Sequence, residues 1–152
     1  MKSSIIKIDQ IKQLREETGV SVIECKKALT ETKGDLEKAK EILKKWGSRL
    51  AGEKIKREVK EGIVESYIHP GKKIGAMIEL NCESDFVARS EDFQKLAHEL
   101  CLQIAAMDPK KNSLMRQPWI RDETKTIQDL VQEYIAKLGE NIIIKRFVRY
   151  EL

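Results

Sequence analysis

Leu80-Asn81-Cys82-Glu83-Ser84-Asp85-Phe86-Val87-Ala88-Arg89 joins an apolar run, Ile74 to Leu80, to a strongly helical run that begins near Ser90. The stretch is therefore a strand-to-helix junction, a surface position on a rigid support that carries function more often than packing. Ser84 reads as an N-cap whose hydroxyl accepts from a free backbone N–H. Asp85 then falls in the first turn, where the positive end of the peptide dipoles favours a carboxylate. Two readings of Phe86 are open: a ring held outward by the cap, or a ring packed beneath the sheet, where most phenylalanines go.

Upstream of the junction, Gly62 to His69 is β-rich through Ile63, Val64, Tyr67 and Ile68, and His69-Pro70-Gly71-Lys72-Lys73 supplies a turn before Ile74. Two strands about such a turn make a hairpin. Gly75 within the second strand marks a bulge or a close approach of another backbone. Downstream, Ser90 caps a helix through about Met107, with a dense stripe of Phe93, Leu96, Ala97, Leu100, Cys101, Ile104 and Ala105 that ends at Asp108-Pro109. Lys110 to Asp122 reads as a loop with Trp119 as its aromatic anchor. Thr126 caps a further helix that stops at Gly139, and Asn141 to Leu152 is a strand with apolar groups on both faces. Strand, strand, helix, helix, strand predicts a three-stranded antiparallel sheet with helices on one side.

The front of the chain has a different texture. Ile8, Ile11 and Leu14 are spaced for a helix over 8–17 that stops at Thr18-Gly19. Ser21 heads a capping box with Glu24, and a helix follows through Leu29. Asp35 caps a third helix with the stripe Leu36, Ala39, Ile42, Leu43 and Trp46, for which Gly47 is the stop. Val22 and Ile23 are adjacent apolar residues about 100° apart on the second helix. They are either an exposed contact or part of a small core. The predicted organisation is α+β: a three-helix unit over 1–47, a charged linker over 48–60, and a core over 61–152.

The charge is divided along the same boundary. Residues 1–57 carry 15 Lys/Arg against 9 Asp/Glu, whereas residues 58–152 carry 14 against 16. A basic front suits nucleic acid phosphates. Here, however, Lys and Glu alternate along the same helices with no aromatic residues between them to stack bases, so a solvated face or an acidic protein partner is the better reading and no nucleic acid is expected. There is no run of eighteen apolar residues and no signal-like start, so no membrane span is expected and the cytoplasm is the predicted location. The three cysteines are odd in number and lack metal spacing, which fits a reducing compartment and predicts no metal.

Enzymatic chemistry finds little footing. No Gly-rich phosphate loop, nucleophile elbow or zinc-binding His pair is present, and His69 and His98 are the only histidines. A nucleophile built from Cys82 and His69 rests only on their sharing a hairpin. His98 is read as an exposed or satisfied ring.

Two motifs give the chain a family likeness. Glu79 to Arg89 closely resembles the second signature of the elongation factor Ts family of bacterial and organellar translation, whose centre usually reads Thr-Asp-Phe-Val. Ser84 departs from it but keeps the hydroxyl. Leu14-Arg15-Glu16-Glu17-Thr18-Gly19-Val20-Ser21-Val22-Ile23-Glu24-Cys25-Lys26-Lys27-Ala28-Leu29 resembles the first signature, although relatives often carry methionines where this chain has Val22 and Ile23. Lys137 to Ile142 also resembles the family.

That resemblance implies a small helical domain similar to ubiquitin-associated domains, one core module as in the short homodimeric members, and guanine nucleotide exchange on translation elongation factor Tu. It implies no cofactor and no direct nucleotide binding. The partner contacts it carries over are Asp85, Phe86 and Val87 from one motif and Arg15, Val22 and Ile23 from the other. A helical adaptor that binds a partner independently of nucleotide is the competing reading.

Overall fold

The computed structural model describes residues 5–152, apart from the side chains of residues 48–51 and 53. Three helices come first: α1 (Ile8–Thr18), α2 (Val22–Glu31) and α3 (Leu36–Lys54). Local chemistry accounts for their starts. Ser21 Oγ accepts from the Glu24 N–H at 3.4 Å and Asp35 Oδ1 from the Lys38 N–H at 3.1 Å. The box expected at Ser21 is only half made, because the Glu24 carboxylate turns to Lys27 Nζ at 3.4 Å. Leu14, Cys25, Ala28, Leu29, Ala39 and Leu43 close a small core, with Leu36, Ile42 and Trp46 packed on it.

The third helix runs past its expected stop at Gly47. It passes through Gly47 and continues to Lys54, so the stretch read as a linker is helical over its first half. Glycine inside a helix costs about 1 kcal/mol, and the helix-forming residues beyond it outweigh that. This extension lets α3 pack against α6 (Ile127–Leu138) of the core. The Asn141 side-chain amide donates to the carbonyls of Ile55 and Arg57 at 3.3 and 2.9 Å, tying down the rest of the segment.

The core is a sheet of order β1-β2-β5, antiparallel throughout, formed by β1 (Glu61–Ile68), β2 (Ile74–Cys82) and β5 (Ile143–Glu151). As predicted, the helices lie on one side. The α5 helix (Glu91–Ala106), capped by Ser90, packs its Phe93, Leu96, Leu100 and Ile104 against Ala76, Ile78 and Leu80 of β2. At the far end of α5 the Arg149 guanidinium donates to the carbonyls of Ile104 and Ala105 at 2.9 and 3.0 Å, satisfying helix-end acceptors from the sheet. Gly75 does face a close neighbour, but it is the Ile68 side chain on β1; the bulge lies at Glu79/Leu80 against β5.

The predicted loop at 110–122 is more ordered than its polarity suggests. A 3-10 turn over Leu114–Arg116 leads into a hairpin of β3 (Pro118–Trp119) and β4 (Asp122–Thr126). Gln103 and Gln117, both fully buried, staple it: Gln103 Nε2 donates to Gln117 Oε1 at 2.9 Å and Gln103 Oε1 accepts from the Ile120 N–H at 2.9 Å. Thr126 caps α6, and Gly139, in a left-handed conformation, ends it.

Candidate functional site

The junction builds a short helix, α4 (Asp85–Ala88), started by Ser84, whose Oγ accepts from the Val87 N–H at 3.3 Å. Val87 and Ala88 are buried in the main core. Consecutive helical residues lie about 100° apart, so Phe86 sits about 200° from Ala88 and faces away from the core. Its ring is 86% exposed, which decides between the two readings left open by the sequence. Val87, expected beside it as a partner contact, is largely buried and anchors the turn, and its remaining surface borders the same side of the molecule as Phe86.

Asp85 stays beside Phe86 through a charge pair that the sequence reading did not use. The Arg89 guanidinium, one helical turn on, donates to Asp85 Oδ2 and holds the Asp85 carboxyl below its usual range. The i, i+4 spacing of Asp85 and Arg89 is the signal that could have found this pair.

A second carboxylate holds the turn from across the molecule. Glu140 Oε1 accepts the N–H groups of Glu83 and Ser84 at 3.1 and 2.9 Å, and Ser84 Oγ donates to Glu140 Oε2 at 2.6 Å. In return, Glu83 Oε2 accepts the Asn141 N–H at 2.6 Å. No local pattern could have pointed to Glu140 in this role, since its partners lie more than fifty residues away in the chain.

The two motifs meet in space. Arg15, Gly19 and Val22 of the helical unit and Phe86, Ser90 and Lys137 of the core line one open cleft. Val22 also borders a second surface with Ile23, Lys26, Lys27 and Trp46. Val22 and Ile23 are 46% and 67% exposed, so neither is a core residue. Phe86, Val22 and Ile23 thus form a discontinuous apolar track edged by charges of both signs, Lys12, Arg15, Lys26, Lys27 and Lys137 beside Glu16, Glu31 and Asp92, a composition suited to contact with another protein.

The nucleophile pairing fails on geometry. Cys82 pairs with Glu61 at one end of the hairpin, His69 follows the other end, and burial pushes the Cys82 thiol up to about 11. His98 is exposed and sits edge-on to Tyr67 at 6.1 Å. Among the described residues no three His, Cys, Asp or Glu side chains converge as metal ligands, and no helix is long and apolar enough to cross a membrane.

Known proteins resemble this chain over most of its length. A family model described as Elongation factor TS matches residues 8–110 and 83–152. The elongation factor Ts of Coprothermobacter proteolyticus is 42% identical, with 93% of this chain and 95% of the relative aligned. The proteins of the same name from Moorella thermoacetica and Thermotoga sp. are 40% and 39% identical, over 93% and 97% of this chain and 93% and 96% of theirs. The first alignment spans 188 positions but takes in 93% of the 152 residues here, so about 47 of its positions have no counterpart in this chain.

Proposed function

Because this chain belongs to the elongation factor Ts family, we propose that it is a guanine nucleotide exchange factor for translation elongation factor Tu, promoting GDP release in the cytoplasm during protein synthesis. It makes and breaks no covalent bond and binds no nucleotide itself. The observation that carries this reading is the exposed Phe86 ring on a turn braced by Glu140, sharing a cleft with Arg15 and Val22.

An exchange factor must prefer the nucleotide-free partner, so that its binding and GDP binding weaken each other. Each tenfold loss of GDP affinity requires about 1.4 kcal/mol of differential binding. Burying one exposed phenylalanine side chain contributes about 1.5–3 kcal/mol, enough for roughly ten- to a hundredfold if the burial occurs only in the nucleotide-free complex. Asp85, paired to Arg89, sets the direction of approach. The helical unit, through Arg15, Val22 and Ile23, is a second handle, and two linked handles bind more tightly than either alone.

The test is release of fluorescent GDP from elongation factor Tu at fixed magnesium. Acceleration by substoichiometric amounts of the chain is the expected result. Binding to the partner that is insensitive to GDP, without acceleration, would instead support the adaptor reading.

The bare face of the sheet supports a homodimer as the working form. Val64, Ile68, Met77, Val148 and Tyr150 all point away from α5 and are exposed, and Glu79 of the central strand pairs with Lys145 and Arg146 across the same face. An apolar sheet face with charges of both signs beside it is suited to a second copy of itself. Sedimentation at micromolar concentration is expected to give twice the chain mass; the monomer mass alone would remove the dimer.

A further inference from the structure

We propose that the turn after α6 is a positioning device for the exchange reaction, in which Glu140 aims Phe86 and Asn141 holds the end of the helical unit to the same point. The inference rests on the exchange-factor reading and adds to it a residue outside both contact motifs. A four-residue helix cannot sustain itself, since nucleation is costly and α4 has almost no propagation to offset it. Phe86 is almost wholly exposed, so the direction of its ring is set by the backbone beneath it. On the upstream side that backbone is held by the three hydrogen bonds to the Glu140 carboxylate. The next residue, Asn141, is buried and carries the bonds to the Ile55 and Arg57 carbonyls, where the chain leaves α3. Two adjacent residues thus connect the Phe86 turn to the trailing end of the unit that bears Val22 and Ile23.

The consequence concerns rate more than affinity. With the turn loosened, the partner is still gripped through the helical unit, but the ring no longer arrives in one direction. Misplacement of about 1 Å can cost on the order of a hundredfold in such a step. Glu140→Ala is therefore expected to lower the maximal GDP-release rate about ten- to a hundredfold while changing the half-saturating concentration less than about threefold. Glu140→Gln should restore most of the rate, because its Oε1 can accept both amides and its NH2 can face Ser84 Oγ. Glu140→Asp keeps the charge but withdraws the acceptor by one methylene, and should fall between the two.

Amide hydrogen exchange on the free chain gives the independent readout. The Glu83 and Ser84 amides should lose protection in Glu140→Ala while those of α5 keep theirs, which also establishes that the fold is intact; if this variant does not fold, Glu140→Asp carries the same comparison. Unchanged protection at Glu83 and Ser84 would overturn the proposal, as would lost protection with an unchanged maximal rate. If the unmodified chain failed to accelerate GDP release, the functional reading would fall, and the amide protection would still report whether Glu140 orders the turn.

Discussion

Phe86→Ala is expected to lower the maximal rate of GDP release from elongation factor Tu by about ten- to a hundredfold, the equivalent of the roughly 1.5–3 kcal/mol associated with burying the ring. Thermal stability should be nearly unchanged, because a ring 86% exposed contributes little to the core. The contrast with the other handle makes the result diagnostic. Ile23→Asp places a charge on the apolar track without touching the turn, so it should raise the half-saturating concentration and spare the maximal rate. An exchange rate unaltered by Phe86→Ala, at equal stability, would remove Phe86 from the mechanism and leave the cleft as a binding surface only.

Gly62→Ala is expected to destabilise the fold by about 2 kcal/mol or more, lowering Tm by roughly 5 °C. Gly62 lies opposite Asn81 at the end of the hairpin nearest the functional turn. A Cβ there would come within 2.8 Å of Asn81 Cα and 2.7 Å of Asn81 Oδ1, and closer still to the Leu80 carbonyl oxygen. These are mainly atoms of a central strand and cannot swing aside. Gly47→Ala is the control of opposite sign: it lies within α3 with nothing inside 4 Å of the added carbon. Alanine there should stabilise by up to about 1 kcal/mol. Thermal unfolding of both variants checks the pair; a Gly62→Ala protein melting with the wild type would show that the strands can part without cost.

What the sequence by itself determined is whatever depends on near neighbours. The caps at Ser21, Asp35, Ser84, Ser90 and Thr126 were legible because each is a side chain bonding an amide three residues on. The stripes of α3 and α5 were legible because periodicity reports which face is apolar. From these followed the α+β class, the hairpin of β1 and β2 and the one-sided sheet.

Other features required the folded chain. Gly47 looked like a stop, but the helix-forming residues beyond it carry α3 onward to Lys54, and α3 packs on α6. Gln103 interrupts an apolar stripe with no local reason; its partners at Gln117, Pro118 and Ile120 exist only once the hairpin of β3 and β4 folds back. The direction of Phe86 was undecided until Val87 and Ala88 were placed inward, since one apolar residue on a short helix can face either way. Glu140 and Asn141 meet Glu83, Ser84, Ile55 and Arg57 only because β5 pairs with β2 and brings the end of α6 beside the junction. Hydrogen bonds between residues far apart in sequence have no local signature, and it is these that set the geometry of the candidate site.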